Sequence, residues 1–444
     1  MRKAAVLGEK YSLSARGFEA QRRELDRSSA SRAREKLNFG KLLSRIIERA
    51  ELRVSRDNDV EWRCITLRAQ SGKSPLDVLD AADCYDYDCD CHVAAKLISR
   101  PMAEQRSSTF QWLDELLQCP ACAAAVSRTD DHYRCEVCAR RFPIRFGIPD
   151  FRLLPDPYIS IDDEIRKIES FTRRGRSFAD TVKAYYDITP ESPPELHSHY
   201  VAAMDAAVNR GAAILRKLRA RFPETASHLA LDLGCGTGGM SIAASREYDQ
   251  VIGVDVALRW LVMGKLRLAE DGVSLPFICA NAESLPFRKE KFDVVVADAV
   301  LEHVQNSARL RDETLRVLKP RGAYFFTTNN RFSVLPEPHV RILGFGLLPR
   351  KLMEPVARRL RHTPYRARLH SRRELLRLFK GKGEVLLPSF AEGELGPRHE
   401  RIRRLWERLS GNRLVRGVLT PFVPQYFIVG QSNPQNDGTE AGRQ

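Results

Sequence analysis

Between residues 229 and 330, apolar runs of strand length alternate with stretches of helical spacing. Leu229-Ala-Leu-Asp-Leu233, Val251-Ile-Gly-Val-Asp255 and Leu275-Pro-Phe-Ile-Cys-Ala280 read as three successive strands. Phe292-Asp-Val-Val-Val-Ala-Asp298 reads as a fourth, entering a short helix that runs to Val304. Leu315–Thr328 reads as a helix end, a turn and a fifth strand. Strands this apolar, separated by helical segments, predict an α/β chain with a parallel sheet covered on both faces. Upstream, residues 156–225 carry apolar stripes at helical spacing, from Tyr200-Val-Ala-Ala-Met to Ile214-Leu-Arg-Lys-Leu, and form a helical lead-in. Tyr185 and Tyr186 in it either pack in the core or close over a ligand. Residues 330–380 mix helix breakers with basic amphipathic segments such as Arg350–Leu360, and read as an insertion. Pro424-Gln-Tyr-Phe-Ile-Val-Gly430 reads as a terminal strand, followed by a polar tail over 432–444 expected to be disordered.

The first strand runs directly into a glycine-rich turn, Gly234-Cys-Gly-Thr-Gly-Gly239. Glycines let backbone pass close to a ligand with no Cβ in the way. The helix expected from about Met240 offers free N–H groups at its start. This is the pattern of a nucleotide-type cofactor site at the carboxyl end of a parallel strand. Gly234, Gly236 and Gly239 satisfy the dinucleotide pattern G-x-G-x-x-G, and Gly234, Gly236 and Gly238 equally satisfy D-x-G-x-G-x-G. Asp255, about 20 residues on, supplies the acid that ribose hydroxyls need in either case.

The segments downstream of Asp255 discriminate between the two patterns. Asn281-Ala-Glu-Ser-Leu-Pro-Phe287 comes after the third strand, Leu301-Glu-His-Val304 after the fourth, and Leu315-Arg-Val-Leu-Lys-Pro-Arg-Gly322 before the fifth. In this order the motifs resemble the class I S-adenosylmethionine-dependent methyltransferases, in the branch that includes quinone-biosynthesis and small-molecule enzymes. The resemblance covers roughly residues 195–330, with a weaker continuation to about 431. It implies a Rossmann-like doubly wound sheet with an antiparallel last strand, in a catalytic domain over 226–431. It implies that Asp232, Cys235 and the backbone around Gly234, Gly236 and Gly238 face the methionine part of the cofactor. Asp255 would then accept from the ribose hydroxyls, with Asn281 and Ala282 in the adenine-contacting loop. Asn281 departs from the Asp usual there, although an amide still accepts from the adenine amino group. Asp298 either faces the cofactor's ammonium group or the acceptor, or caps a helix before Ala299-Val-Leu. His303 is the candidate general base for a hydroxyl acceptor, or a packing residue where transfer relies on proximity. Asn329, Glu337 and His339 are further acceptor-site candidates, each equally a turn or capping residue.

Upstream, Cys119-Pro-Ala-Cys122 and Cys135-Glu-Val-Cys138 are two C-x-x-C knuckles twelve residues apart. Four thiolates at this spacing can surround one tetrahedral Zn²⁺ with no open position, so the metal expected is structural; redox-active or incidental cysteine pairs are the alternative. With Leu116-Leu-Gln before them and Arg141-Phe-Pro-Ile-Arg-Phe-Gly-Ile-Pro-Asp150 after, they resemble the small zinc-ribbon protein that activates tRNA and release-factor methyltransferases. The same ribbon occurs fused ahead of bacterial methyltransferases, and here it is expected over 102–155.

The resemblance implies methyl transfer to oxygen, carbon or nitrogen of a small-molecule, lipid or glycan acceptor. An RNA methyltransferase gripping nucleic acid through ribbon and basic helices, and a non-catalytic scaffold for another methyltransferase, stay open. No Asn/Asp-Pro-Pro-Tyr/Phe motif, expected of many nucleobase- and glutamine-methylating enzymes, comes after the fourth strand. The formal charge is +15, with clusters at Arg358–Arg368 and Arg372–Arg377. These suit RNA phosphates, an anionic membrane surface or a solvated face alike. At 444 residues and 43% hydrophobic composition, the chain has room for two or three domains. No apolar run reaches transmembrane length, the first residues lack a secretory core, and the cysteines lack a disulfide framework. Cytoplasm is the expected compartment. Residues 1–101 are polar and without steady period, apart from an amphipathic stretch at Phe39–Arg49. They are expected to be disordered, or an extension ahead of a start at Met102. Cys84, Cys89, Cys91 and His92 match no ligand template.

Overall fold

The computed structural model of the chain describes residues 111–174, 177–189, 192–387 and 420–432. The Phe39–Arg49 stretch, the Cys84–His92 group, Met102 and the tail beyond Ser432 lie outside the described residues.

A short helix, α1 (Gln111–Leu116), leads into a four-stranded antiparallel meander. Its strands are β1 (Val126–Arg128), β2 (His132–Cys135), β3 (Arg141–Arg145) and β4 (Ile148–Pro149). The lead-in is helical as its periodicity predicts: α2 (Ile161–Thr172), α3 (Phe178–Asp187), α4 (Pro194–Asp205) and α5 (Ala207–Arg221). Ser160 and Ser177 start α2 and α3 by accepting the backbone N–H of Asp163 and Asp180, which satisfies donors that a helix start otherwise leaves open.

The main sheet contains β5 (Leu229–Leu233), β6 (Gln250–Asp255), β7 (Phe277–Cys279), β8 (Phe292–Asp298), β9 (Leu318–Asn329), β10 (Glu384–Leu386) and β11 (Gln425–Gln431). Their order is β7-β6-β5-β8-β9-β11-β10. The strands from β7 to β9 run parallel, and β11 runs antiparallel to both its neighbours. This is the doubly wound sheet with an antiparallel last strand. Every residue of β5 is buried, as a central strand covered on both faces requires. Strand order reverses between β6 and β8 on either side of β5, so the crevice at the carboxyl end of β5 is the topological switch point where ligands bind. The covering helices include α6 (Gly239–Ala244), α7 (Leu258–Glu270) and α8 (Ser307–Val317). The insertion contributes α9 (Arg350–Arg361) and α10 (Arg372–Leu378). It has its own small core of Val340, Phe345, Met353, Ala357, Tyr365 and Leu369.

One expected element is absent. The segment after β8 is a turn, not a short helix. Ala299 takes φ +57° and sends its N–H across to Thr327 on β9, so Asp298 caps no helix.

The meander packs into the main body. Leu113, Leu117, Cys119, Tyr133, Cys135, Phe142 and Phe151 share one buried cluster with Val254, Ile278 and Phe287 of the sheet side. Phe151 N–H donates to Cys279 O at 2.7 Å, extending the edge beyond β7, and Gln118 N–H donates to Pro286 O at 2.9 Å. Among the described residues, no helix is long and apolar enough to cross a membrane.

Candidate functional site

At the end of β5 the chain turns on Gly234, Gly236 and Gly238, with φ of +73°, +53° and +79°. A Cβ on Gly236 would meet nothing within 4 Å, because that position opens onto the cavity. A Cβ on Gly238 would strike the Phe277 ring at 2.8 Å, so this glycine lets the turn pack against the sheet as it caps α6. Thr237 and Gly239 line the cavity, as do Asp232, Gly234, Cys235 and Gly236. The cavity holds about 1000 Å³.

Three carboxylates converge on this turn. Asp255 at the end of β6 accepts Gly236 N–H and Ala257 N–H, both at 2.8 Å, which fixes the turn to the neighbouring strand. Asp232 is buried and accepts Ser241 Oγ–H at 2.6 Å. Asp298 accepts Thr327 Oγ1–H at 2.6 Å and Arg210 Nε–H at 2.5 Å. Burial lifts Asp232 to about 7, with the charges of Asp298 and Asp255 adding to it. Burial likewise lifts Asp255 to about 6. Carboxylates raised in this way favour a cationic ligand, which restores their ionised form.

A second cavity of about 290 Å³ continues past Asp255. Val256, Asn281 and Ala282 form one side, and residues 154–158 of the segment leaving the meander form the other. Asn281 is bonded to the facing segment. Its Oδ1 accepts Leu153 N–H at 2.9 Å and Leu154 N–H at 3.1 Å, and its Nδ2 donates to Leu154 O at 3.0 Å. The oxygen expected to accept from an adenine amino group already serves two donors. Ala282 lines the same cavity.

The same segment is tied down by buried charges that no motif in the sequence signals. Asp150 pairs with Arg145 and Arg152, Arg152 reaches Glu164 at 2.7 Å and Val256 O at 3.0 Å, and Arg259 joins Glu164 to Asp156, each at 2.8 Å. Buried charges persist only when compensated in this way. Burial works against the Asp150 carboxylate, but Arg152 and Arg145 hold it below its usual range.

On the acceptor side, the turn after β8 aims His303 between the two cavities. Leu301 is buried beneath it. Glu302, fully buried, accepts Thr328 Oγ1–H at 2.9 Å and Asn329 Nδ2–H at 2.7 Å, pinning the turn to β9. Asn329 is thereby spent on structure and lines a separate small cavity, not the large one. The other two candidates come together with His303. Its Nε2 lies 3.1 Å from His339 Nε2, and His339 Nδ1 bonds Glu337 Oε1. Glu337, buried, also accepts His339 N–H at 2.7 Å, Val340 N–H at 2.9 Å and Tyr365 O–H at 3.3 Å. His303 is exposed to the cavity, yet desolvation there, then the neighbouring His339, lowers its ring to about 4. For His339, Glu337 more than offsets burial and raises the ring above its usual value. Tyr185, Tyr186, Tyr200, Trp260 and Tyr365 line the same cavity, so the lead-in tyrosines both pack and face the ligand space.

In the meander, the sulfur atoms of Cys119, Cys122, Cys135 and Cys138 all lie within 4.8 Å of one another. Cys119 and Cys135 are buried and the other two exposed. That is the donor set and closeness a tetrahedral thiophilic ion needs.

Residues 231–326 match the family described as a methyltransferase domain. The ubiquinone biosynthesis O-methyltransferase of Bartonella tribocorum is 35% identical over 101 residues, which are 23% of this chain and 41% of that one. The enzyme of the same name from Serratia proteamaculans is 34% identical over 119 residues, 27% of this chain and 48% of that one. The chain thus spans less than half the length of these relatives. Among solved structures, phosphoethanolamine N-methyltransferase 2 of Haemonchus contortus, in complex with S-adenosyl-L-methionine, overlaps at 19% identity and a TM-score of 0.36. That overlap covers 65% of this chain and 62% of the other. An S-adenosylmethionine-dependent methyltransferase of Mesorhizobium loti overlaps at 18% identity and a TM-score of 0.35, over 50% of this chain and 99% of the other. The fold itself rests on the strand order. Joined to the glycine turn at the switch point and the family match, that order gives the chain a class I S-adenosylmethionine-dependent methyltransferase domain.

Proposed function

We propose that the protein transfers the methyl group of S-adenosylmethionine to a hydroxyl oxygen of a small-molecule acceptor in the large cavity. The observation that carries this reading is the His303–His339–Glu337 relay at the cavity wall. A hydroxyl must lose its proton as its oxygen attacks, and a base able to pass that proton on suits it. His303 takes the proton on one ring nitrogen and hands the proton of the other to His339. Glu337 stabilises the resulting imidazolium. The O-methyltransferase relatives support the choice of oxygen, and the aromatic wall suits a largely apolar or aromatic acceptor.

The residues at the turn fit the cofactor. Asp255 retains lone pairs for the ribose hydroxyls beyond those used by Gly236 and Ala257. Asp232 and Asp298 supply negative charge beside the sulfonium and ammonium groups, and the open face of Gly236 admits the ligand's close approach. When bound, the cofactor supplies a methyl group on a cationic sulfur, and the protein supplies alignment and exclusion of water. Within this reading, residues 226–431 form the catalytic domain, and the 330–380 insertion supplies the acceptor wall through His339 and Tyr365. The four cysteines hold a structural zinc ion in a ribbon that ends near residue 155.

Transfer of radiolabelled methyl from S-adenosylmethionine into a fractionated cell extract tests the reading. The expected label is organic-extractable, stable to base as an ether, and absent with His303→Ala. Label confined to RNA and released by ribonuclease would overturn it.

A further inference from the structure

We propose that Asn281 is a positioning residue that locks residues 153–158 as the outer wall of the nucleoside pocket, its amide oxygen accepting nothing from the base. The inference rests on the reading of the site as an S-adenosylmethionine pocket. Three observations on separate groups carry it. The first is the amide itself: two N–H donors fill Oδ1 and one Nδ2 hydrogen goes to a carbonyl, all from Leu153 and Leu154. The second is that residues 154–158 face Asp255 and Ala282 across the smaller cavity, so this segment encloses whatever occupies the space beside the ribose carboxylate. The third is that the wall is anchored on both sides of Asn281's bonds. Arg152 donates to Val256 O, one residue past Asp255, and Arg259 holds Asp156.

The wall is also stiff by composition. Pro155 and Pro157 fix two of its φ angles, so little freedom is left for a ligand to freeze out on binding. Asparagine suits position 281 because only an amide can both accept from the two N–H groups and donate to Leu154 O. A carboxylate would keep the acceptor half and set an oxygen against the Leu154 carbonyl, where Nδ2 now sits at 3.0 Å. Substitution by the near-isosteric acid should therefore release the wall while leaving the size of the side chain unchanged.

Titration calorimetry on the full chain, with S-adenosylhomocysteine and with 5′-methylthioadenosine, tests the proposal. The second probe lacks the amino-acid end, so it reports on the nucleoside pocket alone. Asn281→Asp should weaken both probes by the same factor, about tenfold, within the range typical of coupled sites. It should also raise KM for the cofactor while kcat at saturation is retained, a split that general loosening of the fold would not produce. The double variant Pro155→Gly/Pro157→Gly slackens the wall without touching Asn281. It should weaken both probes as well, and it decides the matter if Asn281→Asp does not fold. Wild-type affinity or tighter in a folded Asn281→Asp overturns the proposal, and so does unchanged affinity in the double glycine variant. If the wild-type chain binds neither probe, the reading of the cofactor site falls and this proposal falls with it.

Discussion

The two ends of the large cavity are built on opposite plans. At the cofactor end, Asp232, the glycine turn and Asp255 come from one strand–turn–helix–strand unit, and the turn's own backbone geometry brings them together. At the acceptor end, His303, His339, Glu337 and Tyr365 come from separate segments, joined by the packing of the insertion against the turn after β8. The first end depends on local conformation and the second on tertiary contact. They should therefore fail separately.

The widest separation is expected from His303→Ala. Its kcat should fall by about 10²–10⁴, the usual contribution of a general base, while S-adenosylhomocysteine still binds as in wild type. A variant with near-wild-type turnover would remove the base and leave transfer to alignment alone. Asp255→Ala tests the other end. Loss of charge-assisted hydrogen bonds to the ribose should cost about 2–4 kcal/mol of cofactor affinity, measured by calorimetry. Unchanged affinity would mean that the ribose lies elsewhere.

Cys138→Ser, an exposed member of the quartet, should lose zinc by elemental analysis and lower the thermal midpoint by a few degrees, since about 1 kcal/mol moves a domain of roughly 150–250 residues by about 2–4 °C and a longer one by less. A metal-free wild-type protein with the same midpoint would rule out a structural metal. Glu337→Gln sharpens the acceptor side through pH. The carboxylate raises His339, so its loss lowers the basicity of the pair, and the acid limb of the rate profile should move to lower pH. A limb that stays in place would separate the rate-limiting proton from the relay.

The smallest effect is a pair of opposite pH trends at the cofactor end. Asp232 and Asp255 titrate at about 7 and about 6 in the fold, against 3.8 in the unfolded chain. The folded state therefore binds more protons than the unfolded state through this window. The ligand-free protein should gain stability as pH falls from about 8 toward 4, and lose it as pH rises through the folded values. Binding of cationic S-adenosylmethionine should weaken over the same fall, because protonation removes the charge it pairs with. Thermal midpoints and calorimetry at matched pH read the two trends. Parallel trends would mean that the carboxylates do not face the cofactor's charge.

Much of this molecule is legible along the chain. The apolar runs predict the parallel strands, the turn chemistry predicts the crevice at the end of β5, and Asp255 lands beside the turn. The four cysteines fall within one ion's reach because each knuckle is a local turn. These features depend on residues a few positions apart, where side-chain period and turn geometry act directly. Where the sequence misleads, the deciding partner is far away along the chain. The turn after β8 is set by Thr327 and not by its own helix propensity, and Leu153, 128 positions from Asn281, donates to an amide oxygen that no motif pairs with it. The His303–His339–Glu337 relay lies in the same class. Its members are visible in the sequence as single candidates, but only the packing of the insertion makes them one chain of hydrogen bonds. Sequence by itself determined the sheet, the crevice and the cysteine quartet, through local geometry. Tertiary structure alone decided what walls the crevice and what can move a proton in it, because those contacts join segments that covalent geometry leaves independent.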